Sequence, residues 1–183
     1  MANQLIFIVG GARSGKSTMA EKMAGEIAGP AAVLFVATAE AYDDEMRARI
    51  RKHQADRPAG WRTLEAPLAL GARIPQALDG TEKAVVVDCL TLLVSNLVCA
   101  MPADIPVREA EAQVAVEIVA LIAACRASSA TWIVVSNEVG LGIVPDNQLA
   151  RTYRDALGRA NQQLAAAADQ VFFPVAGLPL RLK

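Results

Sequence analysis

The segment Leu5–Ser17, with the sequence LIFIVGGARSGKS, decides the fold. Its first five residues are continuously apolar, which is typical of a strand buried on both faces of a parallel sheet. Residues Gly10–Ser17 match the pattern G-x-x-x-x-G-K-[ST] completely, and a helical pattern follows them. Glycines let backbone N–H groups surround a phosphate, and the helix N-terminus adds partial positive charge. The segment therefore predicts a P-loop that binds a nucleotide, against the alternative of a chance glycine-rich turn.

We expect every residue of this loop to contact the nucleotide: Gly10, Gly11, Ala12, Arg13, Ser14, Gly15, Lys16 and Ser17. The Lys16 ammonium group is predicted to reach the β- and γ-phosphates and to act in catalysis. The Ser17 hydroxyl is predicted to bind Mg²⁺.

A second phosphate-site element is predicted where the apolar run Lys83–Val87 ends in Asp88. An acidic residue at the carboxyl end of a strand next to a P-loop strand is the usual second ligand of Mg²⁺ or of its water. The alternative is that Asp88 caps the helix beginning near Leu90.

Apolar runs of strand length recur at Gln4–Val9, Ala31–Ala37, Lys83–Val87, Thr131–Ser136 and Gln170–Val175. Helical patterns separate them, at Ser17–Ala28, Asp43–Gln54, Leu90–Met101, Val107–Arg126 and Asn147–Ala168. This alternation predicts an α/β fold with a mostly parallel sheet flanked by helices. No linker or repeat interrupts it, so residues 1–183 are predicted to form one domain.

The composition restricts the possible partners. The 183 residues are 54% hydrophobic with a net charge of −1, which argues against disorder. Only 4% of them are aromatic, and with the near-neutral charge this argues against nucleic-acid binding. A small-molecule substrate is therefore expected. The three cysteines, Cys89, Cys99 and Cys125, are expected to be reduced and buried, and the two tryptophans, Trp61 and Trp132, to pack in the core.

A cytoplasmic location is also expected. The apolar run Leu5–Val9 is too short for a secretory signal and leads directly into the glycine loop. The longer apolar stretch Ala84–Met101 is interrupted by Asp88, Ser95 and Asn96, so we interpret it as a strand and a helix rather than a membrane span.

The single histidine, His53, ends a charge-sorted helical pattern that begins at Asp43. Acidic residues occupy its first turn and basic residues its last, as in any solvated helix, so an incidental histidine is one hypothesis. The other hypothesis is that His53 is a catalytic nucleophile. Neighbouring cations favour the neutral imidazole, and its attack on an α-phosphate would form a covalent nucleotidyl intermediate.

Several segments resemble the bifunctional adenosylcobinamide kinase/adenosylcobinamide-phosphate guanylyltransferase family of cobalamin biosynthesis. They are Gly10–Ser17, Asp43–Trp61 with the following Arg62–Glu65, Ser136–Arg151 and Tyr153–Gln170. The P-loop is shared with many families, whereas the second and third of these segments are much more specific. The resemblance covers nearly the whole chain.

The resemblance implies a RecA-like P-loop sheet, a homotrimer and two reactions. A nucleoside triphosphate, ATP or GTP, phosphorylates adenosylcobinamide; GTP and Mg²⁺ then support GMP transfer to the new phosphate through an enzyme-histidine intermediate. The family's histidine falls on His53. Its GTP contacts fall on Gly10–Ser17, Ala37, Thr38, Ala39, Gln54, Ala55, Asp56, Arg57, Glu65 and Asp88.

Three alternatives remain open from the residues alone: a small-molecule kinase without guanylyl transfer, a RecA-like motor or switch, and a non-catalytic nucleotide sensor. Glu138, at the end of another strand, is expected to close a loop, with a role toward the acceptor or Mg²⁺ as the alternative. The apolar loop Gly140–Pro145 is a candidate contact for the corrin ring.

Overall fold

The computed structural model describes residues 3–40, 44, 47, 57–102 and 104–183. Within them lie seven strands and five helices with described bounds. The strands are β1 (Leu5–Gly10), β2 (Val33–Ala37), β3 (Arg62–Glu65), β4 (Ala84–Asp88), β5 (Thr131–Asn137), β6 (Gln170–Val175) and β7 (Leu178–Arg181). The helices are α1 (Lys16–Ala28), α2 (Leu70–Ala77), α3 (Leu90–Cys99), α4 (Val107–Ala127) and α5 (Gln148–Ala167).

The strands form one sheet in the order β3-β2-β4-β5-β1-β6-β7. All neighbouring pairs are parallel except β6 and β7, which form an antiparallel hairpin. The P-loop strand β1 is separated from β4 by β5. Because the central strands run in one direction, the residues that follow β1, β2, β4 and β5 meet at one edge of the sheet, where ligands of such folds bind.

Each face of the sheet has its own apolar core. Along β1, Leu5, Phe7 and Val9 belong to the core shared with helices α2–α5, whereas Ile6 and Ile8 belong to the core beneath α1. This alternation follows from the two-residue period of a strand. Both faces are therefore buried, which explains why the central strands are apolar without interruption.

The five strands predicted from the sequence are confirmed, as are the predicted helices that correspond to α1, α3, α4 and α5. The apolar stretch from residue 84 to 101 is indeed a strand followed by a helix. No helix in the described part of the chain has the length and apolarity needed to cross a membrane. The predicted helix Asp43–Gln54 lies outside the described residues except for Asp44 and Arg47. These two are helical and form an ion pair at 2.8 Å.

The prediction that both tryptophans are buried is confirmed, whereas the prediction for the cysteines is partly wrong. Both tryptophans are buried, and Trp61 stacks on Phe35 with 6.5 Å between ring centroids. The expectation of three buried cysteines was wrong for Cys99, which is exposed near the end of α3, and Cys89 is only partly buried. Burial raises the pKa of the Cys89 and Cys125 thiols to about 11, so both are protonated at neutral pH.

Candidate nucleotide-binding site

The loop between β1 and α1 has the backbone geometry that its sequence predicts. Gly15 precedes the first residue of α1 in the left-handed region, at φ 94°, and Arg13 also has a positive φ of 57°. No side chain caps the N-terminus of α1. The N–H groups of the first turn of α1 therefore have no side-chain cap to compete with an anion.

The hairpin turn between β6 and β7 supports this loop from outside. The Gly177 N–H donates a hydrogen bond to the Ser14 carbonyl oxygen at 3.1 Å. A Cβ atom on Gly15 would lie 3.3 Å from the Gly177 Cα, and one on Gly10 would lie 3.0 Å from the Pro174 carbonyl oxygen. Glycine is thus required at both loop positions, one for its φ angle and both for the closeness of the hairpin.

Lys16 points back over the loop. Its side chain is almost inaccessible to solvent, and Nζ donates a hydrogen bond to the Gly11 carbonyl oxygen at 2.5 Å. Burial lowers the pKa of Lys16, while the charge of the Asp88 carboxylate opposes the shift. The Ser14 Oγ atom is buried without a hydrogen-bond partner. A desolvated ammonium group and an orphaned hydroxyl in a cradle of glycines fit a phosphate group.

Asp88 ends β4 at the same edge of the sheet. It is aligned with Ala37 of β2 on one side and Val135 of β5 on the other. The residue at the N-cap of α3 is Cys89, so the alternative role of Asp88 as that cap is not the one observed. Ser17 lies in the first turn of α1 and is partly exposed.

Asp88 and Ser17 fit Mg²⁺ better than a metal held by protein ligands alone. Among the described residues no three His, Cys, Asp or Glu side chains cluster closely enough to bind a metal ion. Mg²⁺ commonly uses one carboxylate, a hydroxyl and the phosphates of its nucleotide, and completes its shell with water. The Asp88 carboxylate and the Ser17 hydroxyl therefore suit a Mg²⁺ ion that binds together with a nucleotide.

The segment Ala37–Ala39, predicted to contact GTP, continues β2 beyond its last residue. Thr38 is completely buried, and its hydroxyl donates to the Cys89 carbonyl oxygen and accepts from the Cys89 N–H, both at 2.7 Å. The Thr38 N–H donates to the Asp88 carbonyl oxygen at 3.3 Å. The segment thus lies directly against the end of β4.

Arg57, which precedes β3 in the sequence, packs on β2, and Glu65 ends β3. The Arg57 guanidinium carbon lies 3.7 Å from the centre of the Phe35 ring. Burial lowers the pKa of Arg57, and the charges of Asp88, Glu21 and Glu65 oppose the shift, which shows that acidic groups surround this cation. Glu65 ends β3 in register with Ala37 and is exposed.

The predicted nucleophile His53 and the predicted contacts Gln54, Ala55 and Asp56 lie outside the described residues. The described residues therefore bring together, at one edge of the sheet, the P-loop, Ala37–Ala39, Arg57, Glu65 and Asp88, which the sequence predicts to contact a nucleotide. Arg57 is the first described residue after His53 in the sequence.

Glu138 also reaches this edge. Its N–H donates to the Gly10 carbonyl oxygen at 3.0 Å, so the loop after β5 starts beside the P-loop. Its Oε1 atom accepts a hydrogen bond from the Gly140 N–H at 2.6 Å, as expected of a residue that closes a loop. Leu141, Ile143 and Val144 in the predicted corrin-contact loop are all exposed.

Sequence reasoning missed the hairpin turn and a set of buried polar side chains beneath the site. Asn96 donates to the Thr38 carbonyl oxygen at 3.0 Å, and the Thr91 hydroxyl accepts from the Asn137 N–H at 2.7 Å. The pair Ala176–Gly177 between two apolar runs was a usable signal for the hairpin. The contacts of Asn96 and Thr91 join distant parts of the chain and leave no local signal.

The parallel sheet, the glycine loop between β1 and α1, and the acidic residue ending β4 define a RecA-like P-loop nucleotide-binding protein. Two solved structures share this fold. The flagellar accessory protein FlaH from Methanocaldococcus jannaschii has a TM-score of 0.55 at 14% identity, covering 100% of this chain and 79% of that one. The second structure, an ATPase domain, has a TM-score of 0.55 at 15% identity, covering 93% of this chain and 69% of that one.

The chain belongs to the cobinamide kinase/cobinamide phosphate guanyltransferase (CobU) family, which it matches over residues 6–182. The bifunctional adenosylcobalamin biosynthesis protein CobU of Salmonella typhimurium strain LT2 is 44% identical, over 98% of this chain and 99% of that protein. CobU of Escherichia coli K12 is 42% identical over the same shares. The bifunctional protein CobP of Pseudomonas aeruginosa PAO1 is 45% identical over 96% and 95%.

Proposed function

We propose that this protein catalyses both reactions for which its family is named. It first phosphorylates adenosylcobinamide with a nucleoside triphosphate, and it then transfers GMP from GTP to adenosylcobinamide phosphate, giving adenosylcobinamide-GDP and pyrophosphate. The observation that carries the proposal is the complete P-loop with the buried Lys16 ammonium group held over it.

The kinase step needs little covalent chemistry from the protein. The acceptor hydroxyl oxygen attacks the γ-phosphorus, the bond from that phosphorus to the β,γ-bridging oxygen breaks, the hydroxyl proton passes to water, and a nucleoside diphosphate leaves. Lys16 and the N–H groups of the loop stabilise the negative charge on the transferred phosphoryl group, because the fold holds these donors in place before the reaction begins. Every residue from Gly10 to Ser17 contributes to this binding.

Ser17 and Asp88 would hold Mg²⁺, which, when bound, neutralises phosphate charge and favours departure of the diphosphate. The remaining nucleotide contacts that we propose are Ala37, the main chain of Thr38, Ala39, Gln54, Ala55, Asp56, Arg57 and Glu65, whereas the Thr38 hydroxyl is bonded to the Cys89 backbone. Arg57 supports a nucleotide contact at this edge, because it places a guanidinium group over Phe35 of β2.

The guanylyl step uses His53 as nucleophile in our proposal. A neutral imidazole nitrogen attacks the α-phosphorus of GTP, a nitrogen–phosphorus bond forms, and pyrophosphate leaves. A phosphate oxygen of adenosylcobinamide phosphate then attacks the same phosphorus and releases the imidazole. The two steps need different phosphorus atoms at the reacting position, so we expect either a second nucleotide pose or a movement of the histidine segment.

A product assay tests the proposal. The purified protein is incubated with adenosylcobinamide and Mg²⁺, with ATP and GTP together and each alone, and the corrinoids are identified by mass spectrometry. We expect adenosylcobinamide phosphate to form first and adenosylcobinamide-GDP to follow only when GTP is present. If only adenosylcobinamide phosphate accumulates in the presence of GTP, the protein is a simple kinase. If it binds nucleotide but forms no corrinoid product, it is a nucleotide sensor.

We also propose that the protein works in the cytoplasm as a homotrimer. The apolar side chains along the hairpin support an assembly, since Val175, Leu178 and Leu180 are all more than half exposed. Light scattering after gel filtration should give three times the chain mass of 19.3 kDa. A monomer at micromolar concentration would contradict this part of the proposal.

A further inference from the structure

The ends of β2 and β4 are joined by a single buried side chain. The Thr38 hydroxyl binds both the N–H and the carbonyl oxygen of Cys89, each at 2.7 Å. The Thr38 N–H binds the carbonyl oxygen of Asp88. One residue at the end of β2 therefore holds the backbone on both sides of the junction between Asp88 and the following helix.

Thr38 is itself fixed from the other side. Asn96, buried on α3, donates from its Nδ2 atom to the Thr38 carbonyl oxygen at 3.0 Å and to the Pro67 carbonyl oxygen at 3.1 Å. Thr38 is 0% exposed, and its one hydroxyl proton is used in the bond to the Cys89 carbonyl oxygen, so the hydroxyl cannot donate to a ligand without breaking that bond. The side chain is thus committed to the protein backbone, not to a nucleotide.

The position of this contact indicates what it controls. Cys89 is the N-cap residue of α3, and no side chain caps that helix with a hydrogen bond. The bonds from Thr38 therefore hold the backbone where the chain passes from β4 into α3, together with the helical bond from the Leu93 N–H to the Cys89 carbonyl oxygen at 3.3 Å. The direction of the Asp88 carboxylate depends on this backbone, because Asp88 immediately precedes Cys89.

We propose that Thr38 is a positioning residue, which orients Asp88 toward the Mg²⁺ of the bound nucleotide by holding the Asp88–Cys89 backbone. The inference rests on the proposed function only in assigning Mg²⁺ to Asp88. Residues that orient a metal ligand typically change metal affinity by about 10–100-fold when they are replaced.

The test measures nucleotide binding, without a corrinoid. A fluorescent GTP analogue is titrated onto the full chain at a series of Mg²⁺ concentrations and in EDTA. Thr38→Val keeps the shape of the side chain and removes both hydroxyl bonds. We expect it to raise the half-saturating Mg²⁺ concentration by about tenfold or more, while binding in EDTA changes little. Thr38→Ser keeps the hydroxyl and should restore wild-type Mg²⁺ dependence.

Two further variants calibrate the result. Asp88→Asn removes the proposed ligand and should show the largest loss of Mg²⁺ dependence. Thr152→Val changes another buried threonine, on α5, and should leave the Mg²⁺ dependence unchanged whatever it does to thermal stability. If Thr38→Val does not fold, Thr38→Ala leaves space for a water molecule at the Cys89 backbone and should shift the Mg²⁺ dependence in the same direction.

Two outcomes would overturn the inference. If Thr38→Val lowers the melting temperature but keeps wild-type Mg²⁺ dependence, the contact is only structural. If it weakens binding equally in Mg²⁺ and in EDTA, the hydroxyl of Thr38 contacts the nucleotide directly and does not act through Asp88. Neither outcome depends on corrinoid turnover, so a shift in Mg²⁺ dependence without any corrinoid product would leave the inference standing and refute the proposed function alone.

Discussion

At the scale of single residues, Lys16 carries its charge with only 7% of its surface exposed. Its burial lowers its pKa, and the only hydrogen bond described for Nζ runs to the Gly11 carbonyl oxygen. A phosphate would give this ammonium group a charged partner in place of a neutral one. A buried ammonium group at this position therefore supports the phosphate contact that we propose for Lys16.

Replacing Lys16 by alanine should lower kcat/KM of the phosphorylation step by roughly 10²–10³-fold, the usual effect of removing one preorganised charge-stabilising group. Lys22→Ala is the matched control, because Lys22 lies on the same helix with 76% of its side chain exposed and pairs only weakly with Glu26, at 3.9 Å. Steady-state kinetics with adenosylcobinamide measures both. Equal kcat/KM values for the two variants would mean that Lys16 has no role in phosphorylation.

At the scale of secondary-structure elements, α2 and α4 pack without a side chain between them at Gly71. A Cβ atom on Gly71 would lie 2.6 Å from the Ala120 Cβ and 2.7 Å from its carbonyl carbon. In contrast, nothing lies within 4 Å of a Cβ added to Gly158, inside α5. The same substitution should therefore have opposite effects at the two positions.

Gly71→Ala should lower the free energy of unfolding by about 1–3 kcal/mol, because the helices must separate. Gly158→Ala should raise it by about 0.5–1 kcal/mol, since alanine loses less backbone entropy in a helix. Urea unfolding followed by circular dichroism measures both values. A stabilised Gly71→Ala variant would mean that α2 does not pack closely on α4.

The start of β1 is held by Asp169, which follows α5. The Leu5 N–H donates to Asp169 Oδ2 at 2.7 Å, and Arg126 at the end of α4 donates to the same oxygen at 3.0 Å. These bonds lower the pKa of Asp169 from its ordinary value of 3.8, and the bond from the Leu5 backbone has the largest effect. A lowered carboxyl pKa stabilises the fold above the ordinary value, and the stabilisation is lost as pH falls through the lowered one.

The difference in melting temperature between the wild type and Asp169→Asn should therefore be constant at neutral pH and should shrink below about pH 3.8. Melting curves between pH 3 and pH 7 measure it. Gly158→Ala, which changes no titratable group, serves as control and should show no such convergence. A difference that grows on acidification would contradict the assigned direction of the shift.

At the scale of the whole molecule, the central strands could be predicted because burial on both faces makes their sequences continuously apolar. The edge strand β3 could not, since RTLE is short and mostly exposed, and β7, with the sequence LPLR, has only the turn Ala176–Gly177 before it as a signal. Helix α2 has eight residues and contains Pro75, so its sequence has no clear helical signal. The outer parts of the sheet are thus formed mainly by tertiary pairing.

The candidate site also contains residues that a local sequence pattern predicts and contacts that no local pattern predicts. The residues of the P-loop and Asp88 could be predicted because their chemistry lies in a contiguous motif and at a strand end. The bond between Thr38 and Cys89 joins residues 51 positions apart, and the hairpin under Ser14 comes from the far end of the chain. Only the sheet order brings these partners together, so no local pattern contains them.

The central claim is that one chain transfers both a phosphoryl and a guanylyl group, the second through His53. The most direct measurement incubates the protein with Mg²⁺ and GTP labelled at the α-phosphate, and then assays the denatured chain for label. We predict acid-labile label that is absent with γ-labelled GTP and absent from His53→Ala, while His53→Ala keeps its phosphorylation activity. A His53→Ala enzyme that completes both reactions at the wild-type rate would contradict the account.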